Sequence, residues 1–119
     1  MGRESLGEFE QLVLLAIIHL GEEKKSGLSK NDVYGVPIVE EIERRTGRQV
    51  ADAAVYVTLR RLEQKNLVRS WKSDPTPERG GKARRCVEVT AAGRTLLSDS
   101  RSALERMWQG LDAKARRVR

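Results

Sequence analysis

Apolar positions along this chain fall into runs of helical or strand-like period, and the polar breaks between the runs mark the elements. Over residues 6–20, Phe9, Leu12, Val13, Ala16, Ile17 and Leu20 keep the 3.6-residue spacing of a helix, while Leu14, Leu15 and Ile18 fill its other side. A helix apolar most of the way round has to be covered most of the way round, partly by its own domain and partly by something else. A partner subunit is the economical cover. Residues 21–31 are polar and read as a connector. A second helix then runs to about Thr46, burying Ile38, Val39 and Ile42 and leaving Glu40, Glu41, Glu43, Arg44 and Arg45 in water. Pro37 lacks an N–H and clashes inside a helix, so it belongs in the first turn, with the start near residues 34–36. Gly47 stops the helix.

After the extended link Arg48-Gln49-Val50, a third helix begins at Ala51 or Asp52 and ends near Asn66, which can take the left-handed terminating position. Val55, Leu59 and Leu62, at i, i+4 and i+7, mark its buried stripe. Residues 67–71 and 84–89 read as short strands, and the Pro- and Gly-rich residues 74–82 between them as a hairpin tip. Thr90 suits an N-cap for a last helix reaching about Arg116. Leu97, Leu104, Met107 and Leu111, with small Ser100 among them, follow the 3-4 spacing of a short paired-helix seam. The order from Asp32 to Arg94 (helix, turn, helix, strand, basic hairpin, helix) predicts a winged helix-turn-helix. The expected fold is mainly α with a small β-hairpin wing and an added C-terminal dimerisation helix. The expected division is a DNA-binding domain over residues 1–90 and a dimerisation helix with a basic tail over residues 91–119.

Placing the third helix's stripe inward leaves Ala53, Val57, Arg60, Arg61 and Gln64 outward, with Ala54 and Tyr56 on the flanks. Small side chains allow close approach to base pairs, and an alanine or valine methyl can meet a thymine methyl. Arg60 or Arg61 can pair with guanine or clamp a phosphate, and Tyr56 can donate to a phosphate oxygen. The hairpin carries Arg69, Lys72, Arg79, Lys82, Arg84 and Arg85 against Asp74 and Glu78, and Gly80-Gly81 lets its tip come close to a nucleic-acid backbone. The plain alternative to each is a solvated helix face and a charged edge strand protected from pairing.

Charge supports the nucleic-acid reading. The 119 residues hold 23 Lys+Arg against 17 Asp+Glu, a net +6 that favours polyanionic partners. A single Cys86 and a single His19 cannot form an internal disulfide or complete a four-ligand zinc site. No cofactor or metal is expected. His19 sits within an apolar helix with no catalytic context, and no Gly-rich phosphate loop occurs, so a small hydrolase is a distant reading. The apolar run over residues 12–18 is too short to span a bilayer, and no secretory signal is visible, so a cytoplasmic protein is expected. Trp108, beside Met107 on the seam, could flank a cleft for a flat aromatic effector; a packing tryptophan is the simpler alternative.

Several motifs together resemble the PadR family of bacterial transcriptional regulators. Tyr34-Gly35 opens the second helix, and Val55-Tyr56-Val57-Thr58-Leu59-Arg60-Arg61-Leu62-Glu63 is similar to the family's recognition-helix pattern. Leu67-Val68, Gly80-Gly81-Lys82-Ala83-Arg84-Arg85 and Val89-Thr90-Ala91-Ala92-Gly93-Arg94 resemble its wing and the start of its last helix. The resemblance covers roughly residues 6–111. It implies a homodimer through the first and last helices (Phe9, Leu12, Val13 and Ala16 against Leu97, Leu104, Met107 and Leu111). Two recognition helices would then read a pseudo-palindromic double-stranded operator, with repression relieved by a small molecule. The chain departs from the family in opening its recognition helix with Ala51-Asp52-Ala53-Ala54 rather than a Ser-Pro-Gly-Thr-like sequence, and in the length of its 21–31 connector. A different class, a winged-helix protein-interaction module, shares the fold but would favour an acidic outer face.

Overall fold

The computed structural model describes residues 5–23, 34–72 and 85–111. They form α1 (Glu8–Glu23), α2 (Gly35–Thr46), α3 (Asp52–Gln64), β1 (Val68–Lys72), β2 (Arg85–Val89) and α4 (Ala91–Trp108). This is a winged helix-turn-helix with an added C-terminal helix, mainly α with one antiparallel hairpin.

Each boundary has a local cause. Pro37 stands in the first turn of α2, whose N-cap is Tyr34, and Gly47 closes the helix at φ 74° with its N–H on the Glu43 carbonyl. Just past α3, Asn66 takes φ 63°. The Asn66 N–H bonds the Glu63 carbonyl (3.0 Å) and the Leu67 N–H bonds the Leu62 carbonyl (2.9 Å), the paired pattern that satisfies the last carbonyls of a helix. That turn delivers the chain directly into β1, which pairs with β2 from Val68↔Val89 to Lys72↔Arg85. Thr90 then caps α4, its hydroxyl accepting from the Gly93 N–H (3.1 Å) and donating to the Asn66 carbonyl (2.9 Å).

The core gathers Val13, Leu14, Ala16, Ile17 and Leu20 of α1, Ile38, Val39 and Ile42 of α2, and Val55, Leu59 and Leu62 of α3. Leu67, Val68, Val87, Val89 and Leu97 close it from the hairpin side. Thr58 is buried beside the expected α3 stripe. Among the described residues no helix is long and apolar enough to cross a membrane.

Three expectations are corrected. Glu41 is buried rather than wet: both its oxygens accept from Arg44 Nη2 at 2.9 Å, and Arg45 Nε donates to Oε2. Burial alone would raise its pKa, yet these two guanidiniums pull the carboxyl below its ordinary value. α4 ends at Trp108 rather than near Arg116, because Gln109 leaves helical geometry and Gly110 takes φ 86°. Leu111 therefore lies beyond the break and does not continue a seam with Leu104. Finally, residues of α1 assigned to a dimer interface are already used inside the protomer. Val13 and Ala16, expected at a dimer interface, are at most 3% exposed inside the protomer, and Phe9 and Leu12 are half-buried against the same core. Leu97 is likewise in the core at 8% exposure. Side chains already covered by their own chain have almost no apolar area left for a partner. The line of α1 that faces the groove with α4 is Gln11, Leu15 and Ile18, of which Leu15 is exposed and the other two half-buried.

Candidate nucleic-acid interface

α3 is fixed in rotation by the burial of Val55, Thr58, Leu59 and Leu62. That leaves Ala53, Ala54, Tyr56, Val57, Arg60, Arg61 and Gln64 together on its exposed side. Val57 is 54% exposed, an apolar methyl pair held out on a helix without a neighbour to cover it. Of the wing residues expected to touch DNA, Arg79, Gly81, Lys82 and Arg84 lie outside the described residues.

One edge of α3 faces the hairpin and the start of α2. Tyr56, Arg60 and Glu63, at i, i+4 and i+7, run along this edge and wall a cleft of about 330 Å³. Tyr34 closes it from α2, Ser70 and Arg85 from the strands, and Leu59, Val68 and Val87 form the apolar floor. The two tyrosine rings lie 5.6 Å apart at 54°. Gly35 makes this arrangement feasible: a Cβ there would fall 2.9 Å from Tyr56 Cε1 and closer still to its hydroxyl end. Across the cleft, Arg85 Nη2 donates to Ser70 Oγ (3.0 Å), Ser70 Oγ donates to Glu63 Oε2 (2.9 Å), and Arg85 lies 3.6 Å from Glu63 Oε1. Burial pushes the Tyr34 phenol up, with the positive charges of Arg85 and Arg60 opposing that rise. The phenol is thus a donor at neutral pH. Sequence reasoning placed Tyr56 and Arg60 on α3 but missed their convergence with Tyr34 and Arg85, which come from distant parts of the chain.

The segments flanking α3 on both ends are tied to α1. Glu10 is buried, accepting from the Gly7 N–H and from Lys65 Nζ, each at 3.0 Å. Arg48, just before α3, is bidentate to Glu8 at 3.1 and 2.9 Å. α1 and α3 are therefore joined by ion pairs at both ends of their contact.

On the far side of the molecule α1 and α4 enclose a groove of about 970 Å³ lined by Leu15, Ile18, Leu97, Leu104 and Trp108 with several polar residues. Leu104 (53%), Met107 (75%) and Trp108 (56%) are exposed along α4, and Leu111 beyond it. Trp108 is not packed tightly between helices; it forms a wall of this open groove.

Comparison with known proteins agrees with this architecture. Residues 26–99 match the family model described as the Transcriptional regulator PadR-like family. A transcriptional regulator of Mycobacterium tuberculosis is 36% identical over 77 residues, covering 65% of this chain and 67% of that protein. The chain thus spans about two thirds of this relative's length. A PadR-like transcriptional regulator from Bacillus cereus superposes with a TM-score of 0.60 at 16% identity, over 92% of this chain and 89% of that one. A PadR family regulator from Clostridium difficile gives 0.59 at 20% identity, over 94% and 98%. On the family match, and with the fold in accord, this chain belongs to the PadR-like family of transcriptional regulators.

Proposed function

We propose that this chain is a sequence-specific, homodimeric DNA-binding repressor whose grip on its operator is relieved by a small planar effector. The observation that carries the DNA reading is the exposed side of α3, where two alanines and a valine lie among Arg60, Arg61 and Gln64. That mixture suits a helix laid in a major groove: small apolar groups permit approach, and the long polar ones reach base edges and phosphates. The wing residues Arg79, Gly81, Lys82 and Arg84 would add phosphate or minor-groove contacts. Leu104, Met107 and Trp108 on α4, with Leu15 on α1, supply the apolar surface for a second copy, and a two-fold pair would present two recognition helices to a pseudo-palindrome. The effector would sit against Trp108 in the groove between α1 and α4.

The test is selection of bound duplexes from random DNA, followed by measurement on the recovered sequence. A common palindromic element and a steep fall of affinity with salt are expected. Gln64→Ala should narrow the gap between selected and random duplexes by about 1–3 kcal/mol. Lys82→Ala should weaken both about equally. Recovery of no common sequence, with affinity unchanged in both variants, would sink the proposal in favour of a protein-interaction module.

A further inference from the structure

We propose that the cleft between α3, the start of α2 and the hairpin seats one phosphodiester of the DNA backbone, held by Arg60, Arg85 and Tyr34. This rests on the reading of α3 as the DNA-facing helix. The cleft is polar at its rim and apolar at its floor: Arg60, Arg85, Glu63, Ser70 and both tyrosines stand around Leu59, Val68 and Val87. Two guanidiniums against the Glu63 carboxylate leave one net positive charge, which a single phosphodiester neutralises. Arg85 is already positioned for the task. Its Nη2 holds Ser70 at 3.0 Å and it lies 3.6 Å from Glu63, so its side chain is oriented before any ligand arrives. A guanidinium has five donors, and the contact with Ser70 does not exhaust them. Tyr34 adds a neutral hydroxyl donor, and Tyr56 supports the Tyr34 ring at 5.6 Å.

Place along the helix identifies the phosphate as DNA's own. Tyr56, Arg60 and Glu63 line the wing-facing edge of α3, while Ala53, Val57 and Gln64 occupy the neighbouring exposed edge. A helix whose outer edge meets bases has the backbone that walls the groove along its flank, and that is where the cleft opens. Glu63 acts here as a positioning residue: with Ser70 it links the recognition helix to Arg85 on the wing, so one phosphate contact would set helix and wing in register.

The experiment measures binding of the full chain to a selected duplex and to a random one across a salt series. Arg85→Ala should weaken both by about tenfold, the loss typical of one charge-assisted hydrogen bond. It should also lower the salt slope by about one. Tyr34→Phe should weaken both by roughly threefold with the slope unchanged, since a neutral donor is removed. Arg85→Lys, which keeps the charge, should retain the slope, and thermal unfolding of each variant checks that the fold is intact. In duplexes carrying one neutral methylphosphonate at successive positions, the parent should lose affinity at a particular phosphate to which Arg85→Ala is indifferent. Parent-like binding by both Arg85→Ala and Tyr34→Phe, while Gln64→Ala still relaxes sequence preference, would overturn the cleft and leave the α3 reading standing. Parent-like binding and preference in all three variants would remove the α3 reading as well. Binding of inorganic phosphate that depends on Arg85 yet leaves DNA affinity unchanged at matched ionic strength would assign the cleft to a free anion and overturn the proposal.

Discussion

Gly93, in the first turn of α4, sits where the last turn of α3, both strands and α4 converge. Helix propensity favours Gly93→Ala by at most about 1 kcal/mol. Packing opposes it. A Cβ at Gly93 would lie 2.8 Å from Val89 Cγ1 and 3.3 Å from the Leu67 carbonyl carbon, with the Leu67 oxygen nearer still. Carbon atoms prefer about 3.5–4.0 Å, so the methyl is too close to Val89 by about 0.7 Å and too close to a backbone carbonyl that no rotamer change can move. That carbonyl also accepts from the Thr90 N–H at 3.0 Å, so pushing it away strains the bond that aligns the cap of α4. Overpacking costs about 1–3 kcal/mol, and a rigid neighbour puts this site in the upper half of that range. The expected net loss is about 1–2 kcal/mol, a fall in Tm of roughly 4–8 °C for a chain of this size.

Gly21 supplies the matched control, since a Cβ there meets nothing within 4 Å. Gly21→Ala, also in a helix, should raise stability by about 0.5–1 kcal/mol. Both variants should be melted at one protein concentration, because self-association shifts apparent stability. A Gly93→Ala protein that melts at or above the parent would refute the close approach of α4 to Leu67.

Leu104→Asp places a charge on the most apolar part of α4 and should convert dimer to monomer in sedimentation at micromolar concentration, without loss of helix content. Asn66→Ala forces a Cβ-bearing residue without a local hydrogen-bonding side chain to hold φ 63°, costing about 1 kcal/mol in denaturant unfolding, whereas Asn66→Gly should be near neutral. Glu10 contributes to acid sensitivity together with Glu41: burial raises its pKa, but the Gly7 N–H, the Lys65 bond and the charges of Lys65 and Arg61 outweigh it and hold the carboxyl below 4.5. Its ionised form therefore stabilises the fold above pH 4.5, and that contribution is lost as pH falls through the lower folded value. Glu10→Gln should be less stable at pH 7 and show a flatter acid limb; an unchanged limb would show that Glu10 is not a titrating group.

How much of this was readable in the sequence depended on whether the cause was local. Pro37, Gly47, Asn66 and Thr90 each act through their own backbone or a neighbour's, and each marks a boundary in the structure where the sequence suggested one. α3 could be rotated correctly because Val55, Leu59 and Leu62 recur at i, i+4 and i+7 on one side, and only Val57 among its large aliphatic residues lies opposite. Glu41 was misread although its signal was local: arginines three and four residues on can satisfy a buried carboxylate, and periodicity alone treats every glutamate as wet. Glu10 with Lys65 and Tyr34 with Arg85 were invisible, since each pair joins elements whose approach is decided by the whole core.

Periodicity fails at α1, because a helix apolar on every side carries no internal record of which stripe its own domain will claim. Val13 and Ala16 went to the core, and Leu15 was left 42% exposed. This moves the available apolar surface of α1 to the Leu15 and Ile18 line, which meets Leu104 and Trp108 in the same groove. The proposed association and effector binding would then draw on one surface. If a second copy fills the groove, little room is left beside Trp108; if the copies meet mainly through Met107 and the outer side of α4, the groove stays open to a ligand. Trp108 fluorescence titrated with planar aromatic compounds separates the two arrangements. A response in the parent that persists in monomeric Leu104→Asp places the ligand within one protomer, and a response lost with the dimer places it between two. No response in either form, with Trp108→Ala as the control for signal, would remove the effector from the proposal and leave Trp108 as part of the contact between copies.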